Sequence, residues 1–190
     1  MTRETNTARA AYGRPFCGAG CEDMDRDEKG AVVALGTFDG LHRGHEAVLL
    51  RAVREAKERG LTAAAYTFRS SPKNLCGEKV RQLMSPVEKE RRMRELGIER
   101  VVDVEFTDEI RGMSPRAFAS MLARDLHARA VVTGKDYRFG RGAQGDAAML
   151  RELGREFGFD AIVVDTVMCG GEKLSSTMLR RALPGPEDGT

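Results

Sequence analysis

The chain has three histidines, and two of them, His42 and His45, stand three residues apart in one stretch, Gly36-Thr37-Phe38-Asp39-Gly40-Leu41-His42-Arg43-Gly44-His45. Imidazoles grouped like this can donate to phosphate oxygens and stabilise the charge that develops when a phosphorus centre is attacked. A lone histidine more readily caps a helix or packs beneath a loop. His-x-Gly-His in a glycine-rich turn points instead to phosphate chemistry. The three glycines let backbone come close to a ligand, and the N-terminus of the helix that follows offers free N–H groups and partial positive charge. Gly36, Thr37, Phe38, Asp39 and Gly44 are therefore read as a nucleotide phosphate loop, with His42 and His45 as its catalytic pair. The Gly-Lys-Ser/Thr ending of a Walker loop is absent.

Two further stretches carry chemistry. Leu174-Ser175-Ser176-Thr177-Met178-Leu179-Arg180 sets three hydroxyls at a helix start and a guanidinium about one turn in, which can clamp a second phosphate group. Alone it reads as an ordinary serine cap; beside the histidine motif, Ser175, Ser176, Thr177 and Arg180 read as phosphate ligands. Gly134-Lys135-Asp136-Tyr137-Arg138-Phe139-Gly140-Arg141-Gly142 alternates aromatic and polar residues between glycines, a pattern suited to stacking a flat ring beside a loop. A plain glycine-rich connection fits it equally well.

Something must hold these stretches together. Ala31–Gly36 is an apolar run of buried-strand type, followed by a helix over 44–60 with Val48, Leu49, Ala52, Val53 and Ala56 on one face and Gly60 as its stop. Further strands are predicted at 61–67, 100–106, 129–133 and 161–165. Helices are predicted at 85–96 and 114–126, each opened by Ser-Pro, then at 144–157 and 175–183. This alternation makes the domain α/β, a doubly wound parallel sheet of five strands over residues 31–183. Ligands of such sheets bind beyond the carboxyl ends of the strands, where the first motif falls.

The 190-residue length suits one domain, and 41% hydrophobic residues suffice for a core. Charged residues make up 32% but leave a net charge of only +2, which argues against a nucleic-acid binder. Residues 1–30 are poor in branched apolar residues and read as a flexible tail; 184–190 read as a loose end. Cys17 and Cys21 lack a second pair or a supporting histidine, so the four cysteines read as reduced thiols. With no apolar run of ~20 residues and no signal-peptide core, the expectation is a cytoplasmic chain with no membrane partner.

Together the motifs resemble the FAD synthetase (FMN adenylyltransferase) domain of bacterial bifunctional riboflavin kinase/FAD synthetases, over about residues 31–183. The resemblance rests on Gly36–His45, Thr67-Phe68, Gly134–Gly140 and Ser175-Ser176-Thr177 with Arg180. It implies a Rossmann-like fold of the His-x-Gly-His nucleotidyltransferase type, ATP and FMN as substrates, and Mg²⁺ as cofactor. It also implies that His45 acts on the transition-state phosphates, that His42 holds the triphosphate, and that Asp39 orders the loop or sits near the metal. Ser175, Ser176 and Arg180 would hold the departing pyrophosphate, while Asp136, Tyr137 and Phe139 would lie on the adenine and flavin side. The family's Thr-Phe-x-Pro-His-Pro reads Thr67-Phe68-Arg69-Ser70-Ser71-Pro72 here, so Ser71 replaces a histidine near the substrate phosphates, with Arg69 and Lys73 as candidate substitutes. Met178 stands where an arginine is common. The sequence stops where a riboflavin kinase domain would begin, so FMN is expected from a separate kinase. Transfer to another phosphorylated metabolite, or a catalytically weak flavin or nucleotide sensor, remain the alternatives.

Overall fold

The computed structural model of the chain describes residues 29–72, 82–165, 168–169, 172–173 and 178. Residues 1–28 of the expected tail, with Cys17 and Cys21, Lys73, Cys76, the hydroxyls Ser175, Ser176 and Thr177, Arg180 and the loose C-terminus lie outside the described residues, whereas Gly30 is described and buried.

Five parallel strands form the sheet: β1 (Ala31–Leu35), β2 (Thr62–Phe68), β3 (Arg100–Val104), β4 (Ala128–Gly134) and β5 (Asp160–Val164), in the order β3-β2-β1-β4-β5. The central strand β1 is buried at all five positions, as its unbroken apolar run demands. Its side chains alternate between two cores. Val32 and Ala34 face α1 (Arg43–Arg59), meeting Val48, Leu49, Ala52 and Ala56, with Met93 of α2 (Pro86–Glu95) in the same cluster. Ala31, Val33 and Leu35 face the other way, toward Phe118 and Leu122 of α4 (Pro115–Arg124) and Leu150 of α5 (Ala147–Phe157).

Local signals set the helix limits. Ser85 and Ser114 each accept the amide three residues on, with proline at the first helical position. Gly60 closes α1 in the left-handed region, φ 65°, its N–H donating to the carbonyls of Ala56 and Lys57.

Three features depart from expectation. Helix α5 begins at Ala147, three residues after the predicted start. Phe139 and Gly145 pair across both backbone N–H groups (3.1 and 2.8 Å), Arg141–Ala143 takes a 3₁₀ turn, and Asp146 becomes the cap, accepting from the Met149 amide at 2.9 Å. A five-residue helix, α3 (Asp108–Gly112), capped by Thr107, was not anticipated. Neither was the antiparallel pair β6 (Met168–Cys169) and β7 (Glu172–Lys173). No helix among the described residues is long and apolar enough to cross a membrane.

Candidate active site

Strand order reverses between β1 and β4, since the chain winds outward through β2 and β3 before returning to β4 beside β1. That reversal opens the crevice in which such sheets bind ligands. The loop after β1 carries Gly36–His42, and the second motif starts at Gly134, the last residue of β4, so the topology brings two of the three sequence motifs to adjoining strand ends.

The first loop is held in an unusual shape. Phe38, Gly40 and Leu41 all have positive φ (50°, 78° and 34°), and two of them are not glycine. Such residues cost about 1–3 kcal/mol each and persist where their surroundings fix them. Here the anchors are buried side chains: Phe38 and Leu41 are 1% and 4% exposed, within the core under α1. The expected phosphate-loop residue Phe38 thus lies with its ring in the core and offers the ligand only backbone. A Cβ on Gly36 would lie 2.9 Å from that ring, which is why glycine is needed there. Asp39, also buried, accepts from the Leu83 amide at 2.9 Å, and the Thr67 hydroxyl donates to the Thr37 carbonyl at 3.0 Å. Of the two roles expected for Asp39, ordering the loop has a visible hydrogen bond behind it.

The two histidines stack, ring centroids 3.7 Å apart and planes within 19°, and His45 meets Phe38 edge-on at 5.5 Å. His42 is the N-cap of α1, its Nδ1 accepting from the His45 amide at 3.3 Å. Because Nδ1 is an acceptor, the proton of a neutral His42 sits on Nε2, on the ring edge away from the helix. Both residues are partly buried. Burial, and then the neighbouring His42, push the pKa of His45 down to about 3, so it is neutral at physiological pH. Its Nδ1 is buried without a hydrogen-bond partner among the described residues. A neutral His45 therefore stacks on His42 at a helix N-terminus, where partial positive charge favours an anion. An arriving phosphate would supply the countercharge that the pocket lacks.

In the second loop, a Cβ on Gly134 would meet nothing within 4 Å, so the end of β4 opens onto free space. Asp136 is exposed. Tyr137 is partly buried, its phenol pushed above the usual range by burial, and its ring runs parallel to that of Phe139 at 6.1 Å. Phe139 is 5% exposed, against Phe118 at 5.4 Å and close over Gly145. These rings join the core on the α4 side, and Phe139 there fixes the loop's shape. Of the third motif only Met178 is described, helical and partly buried.

Sequence reasoning overlooked Lys89 and Asp103. Lys89 is almost fully buried beneath the ends of β2 and β3, on the same face of α2 as Met93 one turn on. That i, i+4 pairing with an apolar residue was the available signal. Lys89 also borders a small cleft with Thr37, Asp39, Phe68, Ser71 and Gln82, so Ser71 does lie beside the first loop.

Comparison with known proteins completes the description of the site. The FAD synthetase family profile matches residues 24–178. The bifunctional riboflavin kinase/FMN adenylyltransferase of Escherichia coli is 34% identical over 159 residues, covering 82% of this chain and 51% of that protein. A Listeria monocytogenes FAD synthetase is 30% identical over 162 residues, 82% of this chain and 64% of that one. Among solved structures, a Streptococcus pneumoniae protein described as macrolide-efflux protein superimposes with a TM-score of 0.72 at 29% identity, covering 80% of this chain and 52% of that one. The chain spans about half the length of the curated relatives it matches first.

Proposed function

The chain belongs to the FAD synthetase family, and from that premise we propose that it transfers the adenylyl group of ATP to FMN, yielding FAD and pyrophosphate. The observation that carries this reading is the stacked His42–His45 pair at the first turn of α1, beside the reversal of strand order. An FMN phosphate oxygen attacks the α-phosphorus of ATP; the new P–O bond forms as the bond to the β-phosphate oxygen breaks, and pyrophosphate leaves. No covalent enzyme intermediate is needed, so positioning and charge stabilisation do the work.

In this reading His42 donates through Nε2 to the triphosphate and His45 to the oxygens that gain charge in the transition state. Gly36, Thr37, Phe38, Asp39, Gly44 and Gly134 frame the nucleotide, chiefly through backbone. Ser175, Ser176, Thr177 and Arg180 hold the β- and γ-phosphates. Asp136, Tyr137 and Phe139 shape the adenine and flavin side, Phe139 from within the core. The described residues bring no three His, Cys, Asp or Glu side chains together, which fits a Mg²⁺ held mainly by substrate phosphates and water. Bound there, Mg²⁺ would neutralise phosphate charge. The reaction belongs to the cytoplasm, with FMN made by a riboflavin kinase.

The test is to incubate the chain with ATP, Mg²⁺ and FMN and separate the flavins chromatographically. FAD and pyrophosphate in equal amounts are expected. Bound ATP with no FAD overturns the choice of acceptor, and restoring histidine at Ser71 is then the next variant.

A further inference from the structure

Lys89 stands in a place where charge is expensive. Its side chain is 3% exposed, and its Nζ donates to the Phe68 carbonyl at 2.6 Å, to Asp103 Oδ1 at 3.3 Å and to the Thr67 hydroxyl at 3.4 Å. Thr67 in turn donates to the Thr37 carbonyl. One ammonium thus ties together the end of β2, from which the Arg69–Ser71 turn departs, and the loop that shapes the histidine pair. Burial holds the amine below its usual range, with Asp103 opposing the shift. A buried ion pair is weak evidence of stability, because an apolar residue of similar volume packs at least as well. Met93, one turn along, does so. Charge at position 89 needs another reason: its partner Phe68 lines the cleft, and its partner Thr67 carries the contact on to Thr37 of the first loop.

We propose that Lys89 is a positioning residue of the acceptor side of the cleft, setting the Phe68 and Thr37 carbonyls, and so the two loops, at the separation the incoming phosphate requires. This rests on the transfer reading above. It differs from a purely structural role, in which Lys89 only neutralises Asp103.

The experiment compares the full chain with Lys89→Met, Asp103→Asn and the double variant. Lys89→Met keeps the volume but leaves Asp103 with Arg69 alone, at 3.7 Å, and its fold can suffer. The double variant removes both buried charges and is expected to melt within a few degrees of the unaltered protein. If Lys89 positions the loops, the double variant still turns over at least tenfold more slowly, with KM for ATP changed less than threefold. Hydrogen exchange also quickens at the Gly36, Leu41 and Arg69 amides while α4 and α5 keep their protection. Recovery of both melting temperature and turnover in the double variant would overturn the proposal. Should the unaltered protein make no FAD, the transfer reading fails on that result, and exchange decides Lys89 by itself. Selective loss of protection at those amides supports positioning, and unchanged protection refutes it.

Discussion

Acid should destabilise this fold through His45 in a measurable way. In the unfolded chain the imidazole titrates near 6.5, whereas in the fold burial and His42 push it down to about 3. Between those values the unfolded chain binds a proton that the native state does not, so stability falls as pH falls through that window and is unaffected by this group above it. From pH 7.5 to 5.0 the loss comes to about 2 kcal/mol. His45→Asn keeps a polar side chain of lesser volume and removes the titration. Urea unfolding followed by circular dichroism at both pH values, on both proteins, isolates the effect, because subtraction cancels the groups they share. The unaltered protein should lose about 2 kcal/mol more than the variant, close to 1 M in urea midpoint. Saturating ATP should shrink that difference, because phosphate beside the ring supplies the missing countercharge. Equal losses in the two proteins would show that His45 accepts its proton at no cost, and the account of His45 as a shielded, neutral imidazole would be wrong.

Three other substitutions probe separate parts of the structure. His45→Ala should lower turnover by about 10²-fold while ATP affinity, measured by calorimetry, changes far less; equal losses would mean that the ring binds only ground-state phosphate. Gly36→Ala drives a methyl to within 2.9 Å of the Phe38 ring and should cost about 1–3 kcal/mol in denaturation, together with most of the turnover. Leu122→Ala empties a fully buried position between α4 and the sheet, and should cost about 2–5 kcal/mol in the same assay with KM values unchanged.

What the sequence made legible was whatever is decided locally. A short apolar run such as Ala31–Leu35, ended by Gly36, reads as a strand buried on both faces. Ser85-Pro86, Ser114-Pro115 and Gly60 mark helix limits by the backbone groups they satisfy or the φ they permit. The histidine motif is local too, and its position after an apolar run placed both rings at the first turn of α1. The start of α5 was not legible, because the Phe139–Gly145 pairing depends on Phe139 finding Phe118, which lies in α4. Lys89 was hidden for a similar reason: seven of the ten residues of α2 are charged, so the helix reads as solvated. Only the strand ends beneath it show which charge is inside. The five-residue α3 is too short for periodicity to register.

Histidines three apart at the start of a helix have the spacing of a chelate, and many such pairs seize zinc or nickel. This pair is built to refuse them. Two rings stacked 3.7 Å apart and nearly parallel send their in-plane lone pairs along separate lines. No ion can then sit at the ~2 Å that imidazole nitrogen requires from both rings at once. His42 has also committed Nδ1 to the helix it caps. The stacking therefore guards the pair against chelation. Micromolar zinc should leave turnover intact, unless the rings first part.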